Sequence, residues 1–159
     1  MMRVGRLIYR GRVLLVALSL FAVAAGIVLV AWSAHAMAAR PSFLVICHPD
    51  SITTTVERSF LRDVFLKKVS SWPTGQRVYP IDLAPNSPTR RLFSETVLNR
   101  PVEAVRSYWQ QHIFSGRDLP PPEVDSESEV IRYVHEHAGA VGYMSADSFA
   151  AGVKVLTVR

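Results

Sequence analysis

Apolar residues recur along this chain at several distinct spacings. Residues 13–34, VLLVALSLFAVAAGIVLVAWSA, run 22 positions without a charge, enough to span a bilayer as a helix at ~20 residues for ~30 Å of hydrocarbon. Beyond residue 40 the runs shorten. Phe43 to Cys47 is a continuous apolar stretch between Pro41 and Pro49, which predicts a buried strand. Thr54-x-x-Glu57 has the form of a capping box, and Val56, Phe60, Leu61, Val64 and Phe65 recur at helical spacing, so a helix is predicted over 55–69. Trp72-Pro73-Thr74-Gly75 predicts a turn, and RVYPIDL (77–83) a second strand, with Pro80 placing it at an edge or an end.

Ser87 suits a helix N-cap and Pro88 the first helical position, predicting a helix to about Leu98. Pro101 opens another, with Val102, Val105, Trp109 and Ile113 on one face. Residues 115–122 (SGRDLPPP) predict a loop. Ser126-x-x-Glu129 is a second capping box, leading into Val130, Ile131 and Val134, with Gly139 as the stop. AVGYMS (140–145) and residues 153–158 predict the third and fourth strands, with a short helical turn around Asp147 to Ala150. Strands alternating with helices predict an α/β domain with a mixed sheet over residues 41–159.

Charge divides the chain at the same place. The 159 residues carry a net charge of +5, from 18 Lys+Arg and 13 Asp+Glu. Residues 1–40 hold Arg3, Arg6, Arg10, Arg12 and Arg40 and no acid, so residues 41–159 balance. A nucleic-acid binder needs a clustered basic surface, and none is indicated. The arginines before residues 13–34 instead orient the N-terminus to the cytoplasm and export the rest of the chain. Residues 1–40 therefore read as a signal peptide or signal anchor. Ala34-His35-Ala36 and Ala36-Met37-Ala38 offer small-x-small sites for cleavage after Ala36 or Ala38. The long apolar run and Trp32 fit retention as a membrane anchor instead.

Candidate chemistry is sparse. A single cysteine excludes an intramolecular disulfide and a cysteine-based zinc site. His135 and His137 are two apart and do not share a helical face. Cys47 and His48 are adjacent on a strand and point to opposite sides. No metal or other cofactor is expected, and without a G-x-S-x-G elbow nothing points to an enzyme. Anion binding has more support. Ser87, Thr89 and Arg90 join hydroxyls and a guanidinium at one helix start, where free N–H groups and the helix dipole converge. Ser51 and Thr53 belong to a second hydroxyl-rich helix start after the first strand, where α/β folds present their sites.

The order of segments also resembles a known family. Leu61 to Lys68 and then Trp72-Pro73-Thr74-Gly75 are similar to the "L-x-x-I-F-x-G-K-x-x-x-W" stretch of the phosphate-binding proteins of ABC transporters. Val78 to Phe93 resembles their strand, Ser-Gly-Thr-Arg loop and helix. Trp109 to Gly116, Ser126 to Val134 and Ala138 to Ser145 resemble later segments, the last of them "P-G-A-I-G-Y-V". The likeness covers most of residues 43–158 and is greatest to the small phosphate-binding-protein-like members. It implies a type II periplasmic-binding-protein-like lobe, located in the periplasm and binding phosphate or a similar small anion. It also implies a membrane transporter or another envelope protein as partner. On this resemblance Ser87, Thr89 and Arg90 occupy the phosphate loop, with Ser51 and Thr53 as further ligands. Pro88 stands where the family has glycine, Leu83 where it often has arginine, and Lys67 where "F-x-G-K" has glycine. The alternative is an envelope interaction or scaffold module that kept the fold and lost the ligand.

Overall fold

The apolar run Phe43–Cys47 forms β1 and takes the central place in a five-stranded sheet. Its two neighbours come from the far end of the chain: β6 (Ala140–Ser145) and β7 (Lys154–Val158). Both pair antiparallel with β1, in registers that set Cys47 opposite Val141 on one side and opposite Lys154 on the other. Two short strands complete the edges in parallel: β2 (Thr55–Val56) beside β7, and β3 (Tyr79–Pro80) beside β6. A separate parallel pair joins β4 (Asp82–Leu83) to β5 (Glu123–Val124). This computed structural model describes residues 43–159, which lie within one compact unit, Pro41–Arg159. The apolar segment 13–34 and the positions Ala36 and Ala38 lie outside the described residues. No helix among the described residues is long and apolar enough to cross a membrane.

Helices cover both faces of the sheet, as an α/β arrangement requires. On one face lie α1 (Arg58–Phe65) and α2 (Pro88–Phe93), the latter widening into a π-helical turn over Ser94–Leu98. Phe93 stacks on Tyr143 of β6 with ring centroids 3.9 Å apart, and its edge meets Phe43 and Phe65. On the other face, Val130 and Val134 of α4 (Glu127–Glu136) press on β6. A Cβ at Gly142 would lie 2.6 Å from Val130 Cγ1, so the glycine admits that close approach. Ser126 and Glu129 close a reciprocal capping box at the start of α4.

Three elements differ from expectation. Helix α1 begins at Arg58, not residue 55, because Thr54 and Val56 are used by the sheet: their carbonyls accept from Thr157 N and Arg159 N. The expected strand 77–83 changes partner midway. Ile81 N still donates to Val141 of β6, but Asp82 N and Ala84 N donate to Pro122 and Val124, so the three-proline loop ends in a strand. The Asp147–Ala150 segment is a turn, not helical, closed by Ser148 N donating to Ser145 O. In α3 (Val102–Phe114), Val102, Val105 and Trp109 are buried as expected, but Ile113 is 47% exposed because the last turn runs past the core.

Candidate functional site

Ser87 caps α2, its Oγ accepting from Arg90 N at 3.3 Å, and Pro88 takes the first helical position. This much is dictated by local sequence, since a serine hydroxyl satisfies an otherwise unpaired helical N–H and proline has none to lose. The neighbours of the turn are set by the fold. Thr89 Oγ1 donates to Glu127 Oε1 at 2.7 Å, and Ser148 donates to the other oxygen of the same carboxylate. Glu127 is the first residue of α4, where a negative charge is favoured by the helix dipole.

Arg90 does not reach solvent. It is 3% exposed and pairs with Asp82, itself 3% exposed, on β4. Asp82 Oδ1 also accepts from Tyr143 Oη and from Leu83 N. Burial lowers the pKa of the guanidinium, against the opposing pull of Tyr143 and Glu123. Burial also pushes the Tyr143 hydroxyl above its ordinary range, with the charge of Arg90 and the N–H of Leu83 acting the other way. Arg90 Nε has no hydrogen-bond partner, so the guanidinium keeps a donor free inside the cluster. A buried pair of this kind is held by its hydrogen bonds as much as by its charges.

Ser51 and Thr53 sit elsewhere. Thr53 N donates to Ser51 Oγ at 3.3 Å, a local turn, and Lys154 Nζ donates to Ser51 O. Lys154 lies opposite Cys47 in the sheet, at the end of β1. Ser148, joined to Thr89 through Glu127, comes after the opposite end of β6, where Ser145 pairs with Phe43. The structure thus brings Ser87, Thr89 and Arg90 together and holds Ser51 at the other end of the sheet. Burial pushes the Cys47 thiol up, against a bond to Ser51 and the charge of Lys154, so the thiol stays protonated and unreactive.

Asp82, Tyr143 and Lys154 were not singled out by the sequence. Asp82 and Tyr143 lie inside apolar strand runs, and an acid in such a run is the one signal that pointed to a buried partner. A further cleft of about 290 Å³ opens at the β3 edge, between the end of α1 and the 118–122 loop, and none of these residues lines it. Among the described residues no group of three or more His, Cys, Asp or Glu is placed to hold a metal ion.

No protein-family model matches the sequence, and no curated protein matches it. Solved structures do match the fold. A protein described as a phosphate ABC transporter substrate-binding protein, with bound phosphate, from Clostridium perfringens superposes with a TM-score of 0.58 at 16% identity. The match covers 74% of this chain and 44% of that one. An ABC-type phosphate transport receptor from Vibrio cholerae gives 0.56 at 16% identity, covering 74% and 46%. PstS from Borrelia burgdorferi gives 0.57 at 16% identity, covering 74% and 47%. The chain therefore has the fold of phosphate-transport binding proteins and spans less than half the length of each.

Proposed function

We propose that residues 41–159 form an exported, non-enzymatic module that binds phosphate or a similar small anion at the start of α2, with Ser87, Thr89 and Arg90 as its ligands. The observation that carries this reading is the coincidence of two features. The fold is that of proteins named for phosphate binding and transport. At the turn where the family resemblance puts the phosphate loop, Ser87 caps the helix through Arg90 N, and the Thr89 hydroxyl and the buried Arg90 belong to the same first turn. The positive end of the helix dipole at such a start favours an anion. An arriving anion takes the Thr89 hydroxyl from Glu127, and the free Arg90 Nε supplies one more charged donor. Ser51 and Thr53, at the other end of the sheet, serve as a separate contact. The module works in the periplasm after export by residues 1–40, cleaved or retained as an anchor, beside a membrane transporter or another envelope protein.

Calorimetry of the full-length chain in detergent with inorganic phosphate tests the proposal. The expected result is saturable heat that Thr89→Val weakens by about tenfold, the loss of one hydrogen bond to a charged ligand. Absence of heat at millimolar phosphate sinks the binding reading and leaves an interaction or scaffold module on the same fold.

A further inference from the structure

We propose that the cleft at the β3 edge is a second ligand site, selective for a small monocarboxylate with an apolar body. It does not depend on the anion site at α2, because no residue is shared between them. The cleft has a volume of about 290 Å³, at the lower edge of the ~300–1,000 Å³ usual for ligand pockets. That size admits one compact molecule. Its walls include Val64, Val69 and Val78, which cannot replace the hydration of a fully charged ligand but do cover an apolar one.

Two cationic residues, Arg77 and Lys67, are among those that line it. Arg77 places its guanidinium 5.7 Å from the centroid of the Tyr79 ring and has no carboxylate partner among the described residues. Lys67 comes from the position that ends α1, where its φ is +52°. That left-handed position is the one glycine fills most easily. Glycine would end the helix equally well but would leave the cleft without an ammonium group. Lys67 Nζ lies 3.8 Å from Asp118 Oδ1, a loose contact between two half-exposed side chains, so the ammonium keeps donors to spare.

Charge then sets the ligand class. Lys67, Arg77 and Asp118 together leave one net positive charge. A monoanion is matched there, whereas a dianion leaves surplus negative charge beside Asp118, which discriminates against phosphate. A carboxylate taken up by Lys67 and Arg77, with its body on the valines, matches the charge and the apolar wall of the cleft.

Benzoate is a suitable probe. Full-length chain in detergent is titrated with sodium benzoate against a detergent blank, alongside Lys67→Gly and Arg77→Gln. The expected result is saturable binding that each substitution weakens by about tenfold or more. The thermal midpoint of Lys67→Gly is expected at or above that of the parent, since the change relieves the backbone; a loss of binding in that variant is then not a loss of fold. Excess phosphate is expected to leave benzoate binding unchanged. The proposal is overturned by an absence of benzoate heat at millimolar concentration, by both variants binding like the parent, or by phosphate displacing benzoate. The first two results leave the phosphate reading intact, and failure of the phosphate titration leaves this one intact.

Discussion

Two hydroxyl-rich turns, Ser51 to Thr55 and Ser87 to Thr89, are alike in composition and unlike in structure. Each comes after a strand and precedes a helix, and each has a basic residue beside it. The Ser87 turn caps its helix directly, and its cation, Arg90, is buried against Asp82. The Ser51 turn caps nothing. Glu57 precedes α1 with no side-chain cap, and the threonines before it are drawn into the sheet edge beside β7. Its cation, Lys154, is half-buried and reaches a backbone carbonyl. Residue type therefore sets what a turn is able to bond. Whether that bond ends a helix or leads into a strand depends on which backbone is nearby.

The sharpest way to break this contrast is Asp82→Ala. It strips a buried guanidinium of its counter-charge, and an expected loss of about 3–5 kcal/mol would be read from urea unfolding. A loss below about 1 kcal/mol would mean that Arg90 finds solvent and that the two turns are alike after all.

The same cluster sets a dependence on pH. The Tyr143 hydroxyl titrates above its ordinary range in the folded chain because it is buried. The folded state keeps a proton that the unfolded chain releases from about pH 10 upward. This contribution is complete below the unfolded value and is lost as pH rises through the folded one. Stability is expected to fall on the alkaline side, and Tyr143→Phe to flatten that fall in unfolding curves taken across about pH 9–11. Equal slopes for parent and variant would remove Tyr143 from the account.

The smallest effects separate the turns themselves. Ser87→Ala removes a helix cap and is expected to cost about 1 kcal/mol. Ser51→Ala removes a local turn bond and the contact with the Cys47 thiol, caps no helix, and is expected to stay within about 0.5 kcal/mol. Equal costs in thermal unfolding would contradict the assignment of the two turns to different tasks.

Much of the fold was legible because its signals are local. The apolar run of β1, the Ser126–Glu129 capping box, the Ser87-Pro88 helix start and the run 140–145 each formed where their own residues predicted. The candidate anion residues were legible in the same way for Ser87, whose partner is three residues on. They were legible only as types for Thr89 and Arg90, whose partners stand 38 residues away in Glu127 and on another strand in Asp82. Lys67 could be seen to stand where the resembling family has glycine; that its backbone is left-handed and that it lines a cleft could not.

By itself, the sequence determined the α/β class, the order of its helices and longer strands and the caps that start two of the helices, because periodicity and capping act over a few residues. Only the tertiary structure decided that Thr55 and Val56 pair as an edge strand, that residues 77–83 change partners at Ile81, and that Arg90 is buried while Lys67 and Arg77 share an open cleft. Those outcomes depend on contacts between segments far apart in the chain. There the unpaired backbone groups of one segment and the buried charge of another must be satisfied by whatever the fold brings beside them.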